Sequence, residues 1–432
     1  MSQMTSTPAI KTAPSQHAPR ANNKTPLIIV TVLFFMWGLL TALNDVLIPH
    51  LKAIYQLNYV EAMLVQFCFF GAYFIVSLPA GFLIKRIGYQ NGVVTGLFVA
   101  AVGCALFYPA SVSGYSLFLI AFFILASGIT ILQVAANPFV TVLGDESTAS
   151  SRLTLTQAFN SLGTTIAPAL GGFLILSASK LAPQDIAALT SADQVQYHLH
   201  EAASVQIPYL ILAAALFALG LAFKFAKLPV ISSNADSSSR TNAKQKSIFS
   251  HTRLVFGVIA IFVYVGGEVS VGSFMVSFLG DHRVASLPAA VAAGYASFYW
   301  GGAMVGRFIG FAVMRVISPG KVLAFNASMS IVLILTAMSS TGPVAMWAIL
   351  LVGLCNSIMF PTIFSMALYK LGDQTGQGSG LLCMAIVGGA VVPFAQGYCA
   401  DTINLQASYL VPAACYIYIV FYGLKYRKRD AH

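Results

Sequence analysis

Between Arg86 and Asp145 the chain carries no charged side chain. Few folds tolerate such a stretch. An apolar run of about 20 residues crosses the hydrocarbon core of a bilayer as a helix. Lipid offers no water to an unpaired N–H or C=O, so a spanning segment is either a helix or part of a closed barrel. Barrel strands would be short and alternating, whereas these runs are long and continuous. The rest of the chain has the same character: of 432 residues, 58% are hydrophobic and 8% charged. A soluble surface of this size needs more charge. The fold class expected is an all-α membrane protein with twelve transmembrane helices, over residues 26–51, 60–84, 91–110, 115–143, 154–178, 205–227, 252–280, 288–316, 320–340, 343–370, 377–400 and 407–424.

A Ser/Thr/Pro-rich segment, 1–25, precedes the first run and reads as a disordered cytoplasmic tail. The first run is too long for a cleaved signal peptide. The net charge of +10 would suit nucleic acid, but its placement argues for topology instead. With the N-terminus in the cytoplasm, every Lys and Arg falls on that side except Lys52, Lys180, Arg283 and the intramembrane Arg307. This is the positive-inside pattern, and it expects both termini in the cytoplasm. No nucleic-acid partner is expected. The six cysteines lie in apolar runs without ligand spacing, so no metal site is expected. No phosphate loop or nucleophile constellation is present, and no cofactor or enzymatic activity is expected.

One long polar linker, 228–251, separates an N-terminal half (26–227) from a C-terminal half (252–424), which a basic tail (425–432) follows. The halves look related. Asp45 and Glu268, Gln133 and Asn356, and Pro138 and Pro361 are each 223 apart. "GFLIKR" at Gly81 recurs as "GFAVMR" at Gly310, 229 apart, and Pro168 and Pro393 are 225 apart. Two parallel six-helix repeats resemble the major facilitator architecture, in which a substrate site lies between the halves near the membrane midplane.

Asp45 and Glu268 are the acidic residues well inside spans. An ionised carboxylate there costs several kcal/mol, about 2.5–3.5 on insertion scales, unless it is paired, protonated or hydrated. The chemistry that fits is cation coupling: a carboxyl group that loads a proton or Na⁺ on one side and releases it on the other. A structural carboxylate bonded to Asn44 or to a neighbouring helix is the plainer alternative. Gln133 and Asn137 share one helix face, and Pro138 beside them frees a carbonyl. Thr156, Gln157, Asn160 and Thr164 form a polar stripe in an apolar span. Amides donate and accept without net charge, which suits a neutral polyol; interhelical hydrogen bonding is the alternative. Trp37 and Tyr264 stand two turns and one turn from the acids, where a ring could stack on a sugar. Tyr295, Phe298, Tyr299 and Trp300 cluster in the eighth span, where core packing or an interfacial belt is the preferred reading. Arg307 reads as a structural or gating brace, and Lys85, Arg86 and Arg315 as helix-end residues that tie neighbours in one gating state.

"LNDVLIPHLK", "QFCFFGAYF", "GCALFYPA", "LQVAANPFVTVLG", "QAFNSLGTT" and "FPTIFSMAL" resemble the fucose:proton symporter family of the major facilitator superfamily, nearest its bacterial glucose/galactose transporters. The resemblance runs from about residue 28 to 425. It implies a monomeric, multi-pass importer of the bacterial inner membrane that works by alternating access. It also implies that Asp45 is protonatable and that Gln157 and Asn160 are cavity amides. The chain departs from the family at three places. Gln133 stands where the fucose branch has a second protonatable glutamate, Phe360 where a tyrosine is expected, and Lys85 where an aspartate is common. The glucose/galactose branch resembles this chain in the glutamine. The expected function is hexose uptake by proton, or possible sodium, symport in the lipid bilayer, with Asp45 and Glu268 for the cation. Gln133, Asn137, Gln157, Asn160, Trp37, Tyr264 and Asn356 are the residues for the sugar. The alternatives are an N-acetylglucosamine or fucose:proton symporter and, in another class, a drug exporter or a sugar sensor.

Overall fold

The computed structural model describes residues 24–54, 59–174, 190, 206–226 and 247–427. Most of the expected N-terminal tail, residues 227–246 of the linker region and 428–432 of the basic tail lie outside them. So do the side chains of α1 from residue 43 onward and of α4 from 168 onward.

Every long element is a helix. The N-terminal half comprises α1 (Lys24–Ile54), α2 (Tyr59–Ser113), α3 (Tyr115–Val142), α4 (Ala149–Leu174) and α5 (Gln206–Phe225). The C-terminal half comprises α6 (Thr252–Gly280), α7 (Ala289–Val313), α8 (Pro319–Ser339), α9 (Gly342–Asn356), α10 (Met359–Ala367), α11 (Thr375–Met384), α12 (Gly388–Thr402), the single turn α13 (Leu405–Ser408) and α14 (Leu410–Lys425). Among the described residues, 8 helical stretches are long and apolar enough to cross a membrane. Large apolar side chains point outward along them, Phe394 at 81% exposure and Phe67 at 72%. So much exposed apolar surface needs lipid, not water, as its solvent.

Several expected boundaries move for identifiable reasons. The second and third spans, expected as separate helices, run together in α2. Gly88, at φ 81° and ψ 166°, turns the chain between them. That conformation is outside the helical region and open to glycine. The tenth span is broken between Asn356 and Met359, and the eleventh by a short turn at Ala385–Val387. The fifth span starts earlier than expected, at Ala149. Arg152, outside the span expected from residue 154, lies in its first turn and donates to the carbonyls of Val140 and Thr141 at the end of α3 and of Asp145 just beyond. A guanidinium there satisfies carbonyls that the helix end leaves unpaired.

Glycine sets how closely α1 and α4 approach. A Cβ on Gly163 would collide with the Phe35 carbonyl, and one on Gly38 with the Asn160 carbonyl. In lipid, helix association rests on this kind of close packing, because lipid tails are as apolar as the helix faces. Gly163→Leu is therefore expected to destabilise the protein by about 1–3 kcal/mol, the usual cost of overpacking. A lower midpoint of thermal unfolding in detergent would register it, and an unchanged midpoint would show that the crossing relaxes freely.

Candidate functional site

Two polar clusters form inside the bundle, one in each half. In the N-terminal half, Gln133 and Asn137 project from the same face of α3 and Gln157 comes from α4. Their exposures are 4%, 0% and 5%. Gln157 Nε2 donates to Asn137 Oδ1 at 3.5 Å. Among the described residues, Gln133 Oε1 and Asn137 Nδ2 have no hydrogen-bond partner. A buried polar atom left unpaired costs about 1–3 kcal/mol, so these amides are set up for something that completes them. Asn160, one turn further along α4, donates to the Phe34 carbonyl at 3.0 Å. Trp37 packs beside it on α1, buried, with its ring 5.2 Å from that of Phe34.

The polar stripe on α4 divides. Thr156 and Thr164 bond back to the Leu153 and Ser161 carbonyls of their own helix. Of these four residues, only Gln157 and Asn160 send side-chain hydrogen bonds to a neighbouring helix. The two threonines take a local option that serine, threonine and asparagine all have; Gln157 and Asn160 reach across instead.

In the C-terminal half, Asn356 Nδ2 donates to the Tyr299 hydroxyl at 2.7 Å, and the Tyr264 hydroxyl donates to the Asn356 carbonyl at 3.1 Å. All three residues are fully buried, and Asn356 Oδ1 has no hydrogen-bond partner among the described residues. Glu268 is partly buried on α6, next to Tyr264 and within electrostatic reach of Arg307. Of the aromatics clustered in the eighth span, Tyr299 is fully buried and Tyr295 partly so, while Phe298 and Trp300 are exposed. Asp45 lies on α1, but its side chain is outside the described residues.

Arg307 joins the two clusters. Its Nε donates to the Ser357 carbonyl at 3.1 Å within its own half. Its Nη1 reaches across to the Gln157 carbonyl at 3.1 Å and to the Ser161 hydroxyl. Proline explains one of these acceptors. Pro361 has no N–H, so the carbonyl four residues earlier, at Ser357, has no helical donor. The same logic holds in the other half. Pro138 leaves the Val134 carbonyl free, and Ser379 Oγ from α11 takes it at 2.8 Å. The sequence signals these acceptors, since each sits four residues before a helical proline. It does not signal which donor arrives.

The halves are tied again at the end that carries Lys85, Arg86 and Arg315, all exposed. Ser150 and Ser365 share a hydrogen bond of 2.7 Å between α4 and α10, and Ser151 donates to the Phe311 carbonyl at 2.8 Å. Where α2 meets α11 the backbones touch: a Cβ on Gly380 would lie 2.7 Å from the Ser77 carbonyl, and one on Gly81 2.9 Å from that of Gly376. Sequence reasoning singled out none of these serines, because an isolated serine in an apolar span has no distinguishing local pattern.

The sequence matches the Major Facilitator Superfamily over residues 27–393. The chain belongs to the Major Facilitator Superfamily. It is 55% identical over 421 residues to a glucose/galactose transporter of Brucella abortus biovar 1 (strain 9-941), covering 97% of this chain and 98% of that one. It is 36% identical over 416 residues to the L-fucose-proton symporter of Escherichia coli (strain K12), covering 94% of each. Among solved structures, the superfamily transporter FucP in the outward conformation superimposes with a TM-score of 0.86 at 35% identity, over 94% of this chain and 99% of that one. Arg307 on α7 links the cluster on α3 and α4 to the one on α6, α7 and α9.

Proposed function

We propose that this superfamily member imports glucose and galactose across the bacterial inner membrane by cation symport, with alternating access between its halves. The observation that carries the reading is the buried amide set Gln133, Asn137 and Gln157. Two of its polar atoms await partners, in a chain more than half identical to a glucose/galactose transporter. Neutral amides suit sugar hydroxyls, which both donate and accept. Asn160 and Trp37 on the same side, and Asn356 and Tyr264 of the second cluster, complete the proposed sugar-binding set.

Twelve passes fit the helices, with α2 supplying two and α9–α10 and α11–α12 one each. Parallel repeats account for the paired features. Pro138 and Pro361 each free a carbonyl. Ser150 and Ser151 also lie 229 positions from Ser379 and Gly380, the spacing that separates Gly81 from Gly310. The basic end faces the cytoplasm, and the hydrogen bonds that tie the halves there support an outward-facing conformation. Asp45 admits the cation from the outer side. A proton is favoured over Na⁺, because one carboxylate with an amide neighbour makes a thin oxygen cage.

The test is uptake of labelled glucose and galactose into proteoliposomes, with a pH gradient or a Na⁺ gradient imposed separately. The expected result is accumulation above the external concentration under the pH gradient. Accumulation under the Na⁺ gradient alone would change the ion. No uptake of either hexose under any gradient would overturn the sugar assignment in favour of an amino sugar.

A further inference from the structure

We propose that the basic ends of α6 and α14 hold the headgroup of an anionic phospholipid, with an acyl chain lying along the outer face of α14. The site belongs to the C-terminal half alone and lies apart from the amide clusters. It goes beyond the sugar reading and does not depend on it.

The last turns of α14 are fastened to the first turn of α6. The Tyr418 hydroxyl donates to the Phe256 carbonyl at 3.2 Å, and the Tyr422 hydroxyl to the Arg253 carbonyl at 3.4 Å. This brings two cations to one ring. The Arg253 guanidinium lies 5.2 Å from the centroid of Tyr426 and the Lys425 ammonium 5.9 Å from it. Arg253 also covers Tyr369 at 4.6 Å, and Lys425 stands 3.6 Å from the centre of Phe256 and 5.4 Å from that of Phe421. The other neighbour of α14 adds to the charge. Gly320 brings α8 so close that a Cβ there would lie 2.7 Å from the Gly423 carbonyl and 2.8 Å from the Arg427 Cα. Lys321 and Arg427 therefore share this end, and both are exposed.

No acid is built in to balance these groups. α8 and α14 contain no Asp or Glu, and the one acid of α6, Glu268, is about four turns from Arg253. Among the described residues, the ion pairs shown are those of Asp281, beyond the opposite end of α6. Ring faces hold an exposed cation in place, but weakly. An ammonium keeps three N–H donors, and a phosphate offers them charged acceptors.

The surface beneath Lys425 identifies the kind of phosphate. Ile417, Phe421 and Leu424 recur along one face of α14 and are exposed. Lys425 follows Phe421 by one turn, so its ammonium caps a strip of apolar side chains. A lipid has the same order, a charged headgroup above hydrocarbon. A soluble phosphate compound would use the cations and leave the strip bare. A zwitterionic lipid would bring its own cation to a cluster that already holds four.

Native mass spectrometry of the full chain in non-ionic detergent tests the site, with phosphatidylglycerol or phosphatidylethanolamine added. Wild type should retain phosphatidylglycerol and release phosphatidylethanolamine. Lys425→Gln should weaken retention roughly fivefold, the effect of one basic residue near an anionic lipid surface, and Lys425→Gln/Arg427→Gln should weaken it further. Lys224→Gln removes an exposed cation from the last turn of α5, in the other half, and should leave retention as in wild type. An equal loss in Lys224→Gln would mean diffuse attraction to the whole basic end and would overturn the proposal. So would equal retention of the two lipids, or no effect of Lys425→Gln. Displacement of the lipid by an equal concentration of glycerol 3-phosphate would overturn it as well, because the apolar strip would then contribute nothing. None of these readouts involves sugar, so failure of hexose transport leaves the result standing.

Discussion

Asp45→Asn is expected to abolish gradient-driven accumulation of glucose and galactose while leaving exchange of sugar across the membrane intact. The asparagine keeps the size and hydrogen-bonding reach of the protonated acid but cannot titrate. A carrier in that state can bind sugar and rock, so exchange persists. It cannot alternate between charged and neutral, so a proton gradient no longer biases the direction of net movement. The magnitude is large. With one proton per sugar, each pH unit across the membrane, worth 1.36 kcal/mol, sustains a sugar gradient of about tenfold. The variant should bring internal and external sugar to equality. Loss of exchange together with accumulation would instead make Asp45 part of the sugar site or the fold. Accumulation that survived would remove it from coupling and leave Glu268 as the remaining intramembrane acid.

The second large effect is expected from Gly380→Val, in the interface between the halves. At this position α11 lies directly on α2, with Ser77, Gly81, Gly376 and Gly380 in contact. A valine Cβ would sit 2.7 Å from the Ser77 carbonyl, and backbone cannot rotate away as the end of a side chain can. The contact is between halves, so each half still folds and the strain is relieved by parting them at the basic end. The equilibrium therefore shifts towards the conformation open on that side. A bias of about 1.4 kcal/mol is already tenfold in population. Apparent affinity for external sugar should fall by at least that factor. Spin labels on the basic ends of α2 and α11 should report a longer distance by electron–electron resonance. Unchanged distance and affinity would mean that the contact slides instead of opening.

The polar site was partly legible in the sequence, and the division follows a physical line. Gln133 and Asn137 stand four residues apart, so a helix places them on one face, and Gln157 and Asn160 stand out in an apolar span. The carbonyls freed by Pro138 and Pro361 are equally local facts. The stripe on α4 misleads at Thr156 and Thr164, because a threonine can satisfy itself on its own helix. The aromatic group in the eighth span is left unsorted by the sequence: residues 295–300 run around the helix, and only the crossing of α7 with its neighbours decides that Tyr299 turns inward while Phe298 and Trp300 are exposed.

By itself the sequence determined that the chain lives in a membrane as a helical bundle, because uncharged stretches such as Arg86 to Asp145 leave the backbone no other way to satisfy its hydrogen bonds. It also determined where polar residues are costly enough to demand a reason: Asp45, Glu268, Arg307 and the amides. The tertiary structure decided who meets whom. Arg307 reaches Gln157 and Ser161, Ser379 reaches Val134, and Gly380 rests on Ser77, across separations in the chain that no local pattern encodes. Helical periodicity and burial cost act within a few turns of one segment. The partner of a freed carbonyl is set by how two halves pack, and that depends on every helix between them.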